Sequence, residues 1–390
     1  MNAERPPFPG FRDNIFLDHH ATTPLDPRVL ATMMPYLSQR FGNPHSVGYA
    51  RAEAARAAVE QARASVASLI GAAPADVIFT SGATEACTIA IHGLLAKPGK
   101  SRGRRMVLSA IEHACVRGTA RALDGTTIVE LPVDGDGIVD LEAAGQAVDD
   151  ETSLVSVMMA NNEIGTIQPV AEIASLCRLH GSLFHTDAAQ AVGKLPIDVA
   201  AMGIDLLSLS GHKLYGPQGI GALYCHPGVR GRLRPTAYGG GQEGGLRPGT
   251  LPLALCVGLG EACRIAAAEM EAEATRVGAL RDRLLAGLRA SVPGLAVNGC
   301  LDRRLPGNLN LSMPGVDGDV LVHALGDVAV STGSACASGA LEPSHVLAAL
   351  GLETSRAESA IRIGIGRFTT AAEIDRAVDR IVATMCALTA

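Results

Sequence analysis

Four lysines occur in the 390 residues: Lys97, Lys100, Lys194 and Lys213. Lys213 closes the tetrapeptide Ser210-Gly211-His212-Lys213. The apolar run Asp205-Leu206-Leu207-Ser208-Leu209 precedes it, and the glycine-rich Tyr215-Gly216-Pro217-Gln218-Gly219-Ile220-Gly221 follows. A lysine at a strand end, beside a hydroxyl and an imidazole, has the parts for a Schiff base to an aldehyde cofactor such as pyridoxal phosphate. The amine takes the aldehyde and nearby donors take the phosphate.

Other segments could complete such a site. Val77-Ile78-Phe79-Thr80 reads as a strand, Ser81-Gly82-Ala83 as a turn, and Thr84-Glu85-Ala86 as a helix start. Free amides and the positive dipole end there suit a phosphate, with the Thr84 hydroxyl as a further donor; an ordinary helix cap has the same pattern. In Phe184-His185-Thr186-Asp187-Ala188-Ala189-Gln190, Asp187 ends a strand, where a carboxylate could pair with a protonated pyridine nitrogen or simply cap a helix. Gln190 could donate to the ring oxygen. His113, just past the strand 106–109, could stack on a ring and move protons, or be structural. Asn162 also follows a strand end, where open α/β sheets place ligands.

Cys336 sits in Ser331-Thr332-Gly333-Ser334-Ala335-Cys336-Ala337-Ser338-Gly339-Ala340, almost all small residues. Such a segment buries little apolar area and should be exposed, so Cys336 reads as a nucleophile delivered by loop motion or as an inert surface thiol. Arg362, in Ile361-Arg362-Ile363-Gly364-Ile365-Gly366-Arg367-Phe368, pairs either with an internal carboxylate or with a substrate carboxylate.

The elements that must carry these residues alternate. Strands are predicted over 77–80, 106–109, 127–131, 154–158, 183–186, 205–209 and 219–224, with helices over 46–70, 84–96, 114–123, 141–148 and 170–180. This alternation predicts an α/β domain with a mostly parallel sheet over 16–252. Beyond it the pattern changes to an Ala-rich helix from 253 to about 290, strands at 309–312 and 328–331, and a helix at 371–387. These residues, with 1–15, are expected to form a smaller α+β domain carrying a cysteine loop at about 331–342.

Composition narrows the class. Hydrophobic residues are 47%, charged residues 18% and the net charge is -6, a globular make-up that argues against nucleic acid or an anionic membrane as partner. Aromatics are 3% with no Trp, which leaves little for base stacking. No stretch approaches the roughly 18 apolar residues of a membrane span, and Met1-Asn2-Ala3-Glu4-Arg5-Pro6-Pro7 lacks a secretory pattern, so a cytoplasmic location is expected. The nine cysteines are scattered, with no C-x-x-C; most read as small core residues of a reducing compartment.

Together the segments resemble the cysteine desulfurases of the class-V aminotransferase family, which have the pyridoxal-phosphate-dependent transferase fold type I. The resemblance rests on Leu17-Asp18-His19-His20-Ala21-Thr22-Thr23-Pro24, Phe41-Gly42-Asn43-Pro44-His45-Ser46, Thr80-Ser81-Gly82-Ala83-Thr84-Glu85, Asn161-Asn162-Glu163-Ile164-Gly165, Ser210-Gly211-His212-Lys213 and Gly239-Gly240-Gly241-Gln242-Glu243. Its most diagnostic part is Gly333-Ser334-Ala335-Cys336 followed by Leu341-Glu342-Pro343-Ser344-His345, spaced as in the long-loop subgroup that serves iron–sulfur cluster assembly.

The resemblance implies roles. Lys213 would be the Schiff-base lysine, Asp187 the partner of the pyridine nitrogen, Gln190 that of the ring oxygen, and His113 the stacking ring. Ala83, Thr84, Ser210 and His212 would bind the phosphate, with Thr250 lent to the neighbouring subunit of a homodimer. Asn162, Arg362 and Asn43 would hold the substrate, L-cysteine. The freed Lys213 amine would take the Cα proton, and thiolate Cys336 would attack the substrate sulfur, leaving a persulfide and L-alanine. Its loop would pass the sulfur to an acceptor protein. No resident metal is implied; Cys336 would meet iron–sulfur only transiently, through its persulfide. Alternatives are a selenocysteine lyase or small-substrate aminotransferase of the same class, and a non-enzymatic sulfur-carrying scaffold. Two departures stand out. Gly244 occupies a position that is often Arg in the family, and the chain stops at Ala390, where members often continue into a tail that docks a scaffold protein.

Overall fold

The structure is a computed structural model and describes residues 15–96, 104–332 and 344–390. Cys336 lies outside the described residues, as do Lys97, Lys100 and most of the predicted cysteine loop.

The described chain opens on the short strand β1 (Ile15–Phe16). Seven strands then build one sheet: β2 (Val77–Thr80), β3 (Arg105–Ser109), β4 (Thr127–Leu131), β5 (Thr152–Ser156), β6 (Leu183–Asp187), β7 (Leu206–Ser210) and β8 (Gly221–Cys225). Their order across the sheet is β2-β8-β7-β6-β5-β3-β4. Only β8 runs against its neighbours, pairing antiparallel with β2 and β7. The others are parallel.

Alternation along these strands feeds two cores. Val77, Phe79, Val107, Val155, Phe184 and Leu207 face one side, packed by the helices Pro27–Ser38, Ala50–Leu69 and the first half of Leu253–Ser291. Ile78, Met106, Leu108, Leu154, Leu183 and Leu206 face the other, under Ala83–Leu95 and Ala114–Arg121. A sheet buried on both faces needs apolar residues at every position, which is why these strands read as continuous apolar runs.

Four short strands complete the chain: β9 (Ala296–Val297), β10 (Asn308–Ser312), β11 (Val328–Ala329) and β12 (Ala360–Gly364). The order β12-β10-β9 forms a second, antiparallel sheet, and β11 pairs with β1. Its core joins Ile15 and Leu17 to Leu280, Leu284 and Leu288 of the long helix and to Ile374 and Ile381 of the helix Ala371–Thr389. The 39-residue helix thus contributes to both cores. Among the described residues no helix is long and apolar enough to cross a membrane.

Most predicted elements are present within a few residues. The helix predicted over 46–70 spans Ala50–Leu69, and Gly71 follows it at φ +69, the left-handed position that ends a helix. The strand predicted over 154–158 begins two residues earlier, at Thr152. The helix Pro27–Ser38 and the strand β12 were not predicted as such.

Candidate active site

Parallel strands deliver their C-terminal ends to one edge of the sheet, and the chemistry-bearing side chains collect there. Asp187 ends β6 and Ser210 ends β7; His113 follows β3, Asn162 follows β5, and Ser81 follows β2. A cavity of about 500 Å³ opens at this edge. Ala83, Thr84, His113, Asn162, Asp187, Gln190, Ser210, His212, Lys213 and Arg362 all line it. Two expected residues do not: Asn43 and Thr250 are exposed, away from the cavity. The volume is that of a small-molecule site.

One end of the cavity suits an anion. The helix Ala83–Leu95 starts at Gly82 with no side-chain cap, so its first amides lack that partner. Ser210 stands opposite, 3.7 Å from where a Cβ on Gly82 would lie. Gly221 makes this approach possible. A Cβ there would sit 2.4 Å from the Leu209 carbonyl oxygen and 2.7 Å from the Gly82 Cα.

Lys213 lies on a single turn, Gly211–Lys213, directly after β7. Its Nζ donates to the carbonyls of His20 and Ala21, each at 2.6 Å. The segment 20–23 is laced to the same turn. Thr23 Oγ1 donates to the His212 carbonyl (2.9 Å) and accepts from Tyr215 N (2.8 Å), while His212 Nδ1 lies 3.1 Å from Thr22 Oγ1. Burial, aided by the Lys213 charge, pushes His212 down to about 4, so it is neutral at pH 7.

Gln190 is fixed from two sides. Its Nε2 donates to the His20 carbonyl at 2.9 Å, and its Oε1 lies 3.0 Å from His20 Nδ1. With its Nδ1 proton used this way, His20 presents Nε2 as an acceptor, and that buried atom has no hydrogen-bond partner. Asp187 accepts from the Ala189 amide at 2.9 Å, and burial pushes its carboxyl up. His113 caps the helix Ala114–Arg121 by accepting the Cys115 amide on Nδ1 at 3.2 Å, so its proton sits on Nε2.

The sequence left two roles open for Arg362, and the structure combines an ion pair with cavity exposure. Nη2 pairs with Asp18 at 2.9 Å and Nη1 donates to the Asn162 carbonyl at 3.2 Å, yet Nε is buried without a partner.

The donor set fits pyridoxal phosphate. There is an uncapped helix start for a phosphate, a buried carboxylate for a protonated ring nitrogen, an amide and an imidazole beside them, and a lysine amine. Of the five buried side-chain polar atoms without a partner among the described residues, two, on His20 and Arg362, belong to residues of this cavity.

Sequence reasoning missed several neighbours. Cys115 lines the cavity, although the cysteines other than Cys336 read as core or helical. A hydrogen bond from Cys87, with help from His113, draws its thiol down to about 6. His20 carried no assigned role. The signal was available in the run His19-His20-Ala21-Thr22-Thr23, which has polar groups without strand or helix period.

The described residues on either side of 333–343 are held beside the cavity. On one side Ser331 exchanges backbone hydrogen bonds with Arg362 (3.2 and 2.6 Å), and its hydroxyl donates to Asp18 (3.1 Å). On the other, Ser344 Oγ donates to Glu163 at 2.5 Å and His345 Nε2 lies 3.0 Å from the Glu112 carbonyl, next to Asn162 and His113.

Burial lifts Glu163 to about 7. A carboxyl raised from 4.5 when unfolded favours folding fully below pH 4.5, and that gain is lost as pH rises through 7. Wild type should therefore lose up to about 3 kcal/mol more stability across this interval than Glu163→Gln. Urea unfolding at several pH values measures this; parallel curves would contradict it.

Comparison with known proteins decides the family. A family model described as aminotransferase class-V matches residues 15–377. The chain belongs to the class-V aminotransferase family. Its fold is pyridoxal-phosphate-dependent transferase type I, with the mostly parallel α/β sheet expected from the sequence. A probable mitochondrial cysteine desulfurase of Dictyostelium discoideum is 50% identical over 372 residues, 95% of this chain and 82% of that protein. A solved structure titled as a NifS-like protein superposes with TM-score 0.88 at 35% identity, covering 95% of this chain and 98% of the other. Another, titled as SspA in complex with cysteine, gives TM-score 0.80 at 36% identity, covering 91% and 100%.

Proposed function

We propose that this protein is a pyridoxal-phosphate-dependent cysteine desulfurase, which converts L-cysteine and the Cys336 thiol into L-alanine and a Cys336 persulfide. The observation that carries this reading is where the residues flanking 333–343 stand: Ser331 is bonded to Arg362 of the cavity, and Ser344 to Glu163, next to Asn162. Cys336 is four residues from Thr332, so chain length alone keeps it within about 14 Å of that residue.

When bound, pyridoxal phosphate supplies an electrophilic aldehyde and a ring that takes up electron density. Lys213 would hold it, and the Lys213 amine would carry the proton to and from the substrate Cα. Asp187 would keep the ring nitrogen protonated, Gln190 would bond the ring oxygen, and His113 would stack on the ring. Ala83, Thr84, Ser210 and His212 would bind the phosphate. Thr250, exposed and outside its own chain's cavity, would serve the partner subunit of a homodimer. Arg362, with Asn162 and Asn43, would bind the substrate carboxylate through its unpartnered Nε. The Cys336 thiolate takes the substrate sulfur; one S–C bond breaks, one S–S bond forms, and the carbon gains the proton. A protein thiol would then accept the sulfur. The eight described cysteines are all unpaired, which suits a reducing compartment, and we place the protein in the cytoplasm.

With L-cysteine and a reductant, alanine and sulfide should appear in equal amounts. Pyruvate and ammonia in place of alanine would overturn the reading. Arg362→Lys keeps the charge toward Asp18 but loses the planar fork. It should lower kcat/KM for L-cysteine about 10- to 100-fold, mainly through KM. An unchanged KM would remove Arg362 from the substrate site.

A further inference from the structure

Beneath the cavity lies a donor cluster that the desulfurase reaction does not use. Cys87, on the helix Ala83–Leu95, is fully buried and hydrogen-bonds with the side chains of Cys115, Asp187 and Ser208. Cys115 sits on the next helix, Ala114–Arg121. The residue after Cys87, Thr88, places its Oγ1 3.4 Å from the Oγ1 of Thr119, one turn beyond Cys115, so the two helices are held side by side here. The Cys87 and Cys115 sulfurs and an Asp187 carboxylate oxygen all lie within 4.8 Å of one another. Cys115 and Asp187 also line the cavity, whereas Cys87 lies behind them. His113 Nδ1 is 3.1 Å from the Cys115 sulfur, placing a polar ring against that ligand.

We propose that Cys87, Cys115 and Asp187 form a binding site for a thiophilic divalent metal ion of the zinc class, and that this ion competes with the cofactor for Asp187. Two sulfurs and one oxygen are the ligand types such ions select over magnesium or calcium. Tetrahedral bonds of about 2.0–2.3 Å put neighbouring donors about 3.3–3.8 Å apart, so the present spacing closes with side-chain shifts of about 1 Å. The fourth position faces the cavity, as in open zinc sites, and is taken by water or a small thiol. Binding joins the hydrated ion to the two sulfurs as thiolates and releases whatever protons those thiols still carry, without change of oxidation state. The metal site itself does not depend on the desulfurase reading; the competition rests on it, because it requires Asp187 to hold the cofactor ring.

The test uses the full-length chain carrying Cys336→Ser, which removes the other thiol of interest. It is stripped of cofactor, kept anaerobic and titrated with Co²⁺. Thiolate-to-cobalt charge-transfer absorption should rise to one ion per chain. Cys87→Ala and Cys115→Ala should each weaken binding at least about tenfold, and the isosteric Asp187→Asn should do so with the fold intact by circular dichroism. Adding pyridoxal phosphate should release the cobalt. Absence of the thiolate band, or a band unchanged in the Cys87→Ala/Cys115→Ala pair, overturns the site. Cobalt that stays bound while pyridoxal phosphate also binds leaves the site standing and overturns the competition, and with it the assignment of Asp187 to the ring.

Discussion

Lys213→Ala should lower turnover of L-cysteine at least about 1,000-fold while leaving the fold intact. The Lys213 ammonium donates to the carbonyls of His20 and Ala21 at the cavity wall, where water can replace it. Structure should therefore survive the loss, and chemistry should not. Lys213→Arg should fail equally, because a guanidinium does not give up its proton and cannot cycle it at the substrate Cα. Lys194 cannot take over. Burial pushes its amine down to about 7, which would suit a base, but its Nζ is directed to Gln190 Oε1 at 3.3 Å. Rates measured by alanine release, with circular dichroism as the control for folding, decide the matter. A variant within tenfold of wild type would remove Lys213 from the reaction.

Glu243→Ala should produce the largest loss of stability, about 3–5 kcal/mol, or roughly 5 °C in melting temperature for a chain of this size. Both Glu243 oxygens are engaged by Arg63, at 2.7 and 2.8 Å, and one also accepts the Phe79 amide at 2.7 Å. Arg63 in turn lies over the Phe79 ring, 4.7 Å from its centre. Removing the carboxylate leaves the buried Arg63 guanidinium with only the exposed Glu60 and the Val77 carbonyl, and strands a buried amide on β2, the strand that leads into the anion-binding turn. Replacing both partners, Arg63→Met with Glu243→Leu, should recover most of the loss, because neither charge is then left alone. Thermal melts of the single and double variants test this; an additive double variant would contradict it. The same corner explains Gly244. Its φ is +65, and a Cβ there would meet the Arg230 guanidinium at 2.8 Å. Arg230 bonds the carbonyls of Ala75 and Glu243, so the space that a side chain at 244 would enter is filled from another part of the chain.

The large sheet was legible because its strands are buried on both faces and its helices keep a 3.6-residue period. Motifs at the strand ends could then be placed at one edge, and ten of the expected residues do meet in one cavity. The second sheet was less legible. β12 is five residues long, and its pairing with β10 joins residues about 50 apart in the chain, information that no local window carries. The helix Pro27–Ser38 did announce itself, through Asp26 as cap and Pro27 at the first position. Cys115 was hidden for another reason. Its importance comes from contact with Cys87, and a thiol in a helical pattern reads as a small core residue until the second helix is in place. Arg362 shows the limit of choosing between structural and ligand roles, since one guanidinium serves Asp18 and still turns an unpartnered nitrogen into the buried site.

The most direct measurement is a single turnover without reductant, with alanine counted and the peptide containing Cys336 weighed by mass spectrometry. The expected result is one alanine per active chain and one added sulfur atom on Cys336, both absent from Cys336→Ala. Alanine formed by Cys336→Ala at the wild-type rate, or alanine with no sulfur added to Cys336, would contradict desulfuration through this cysteine.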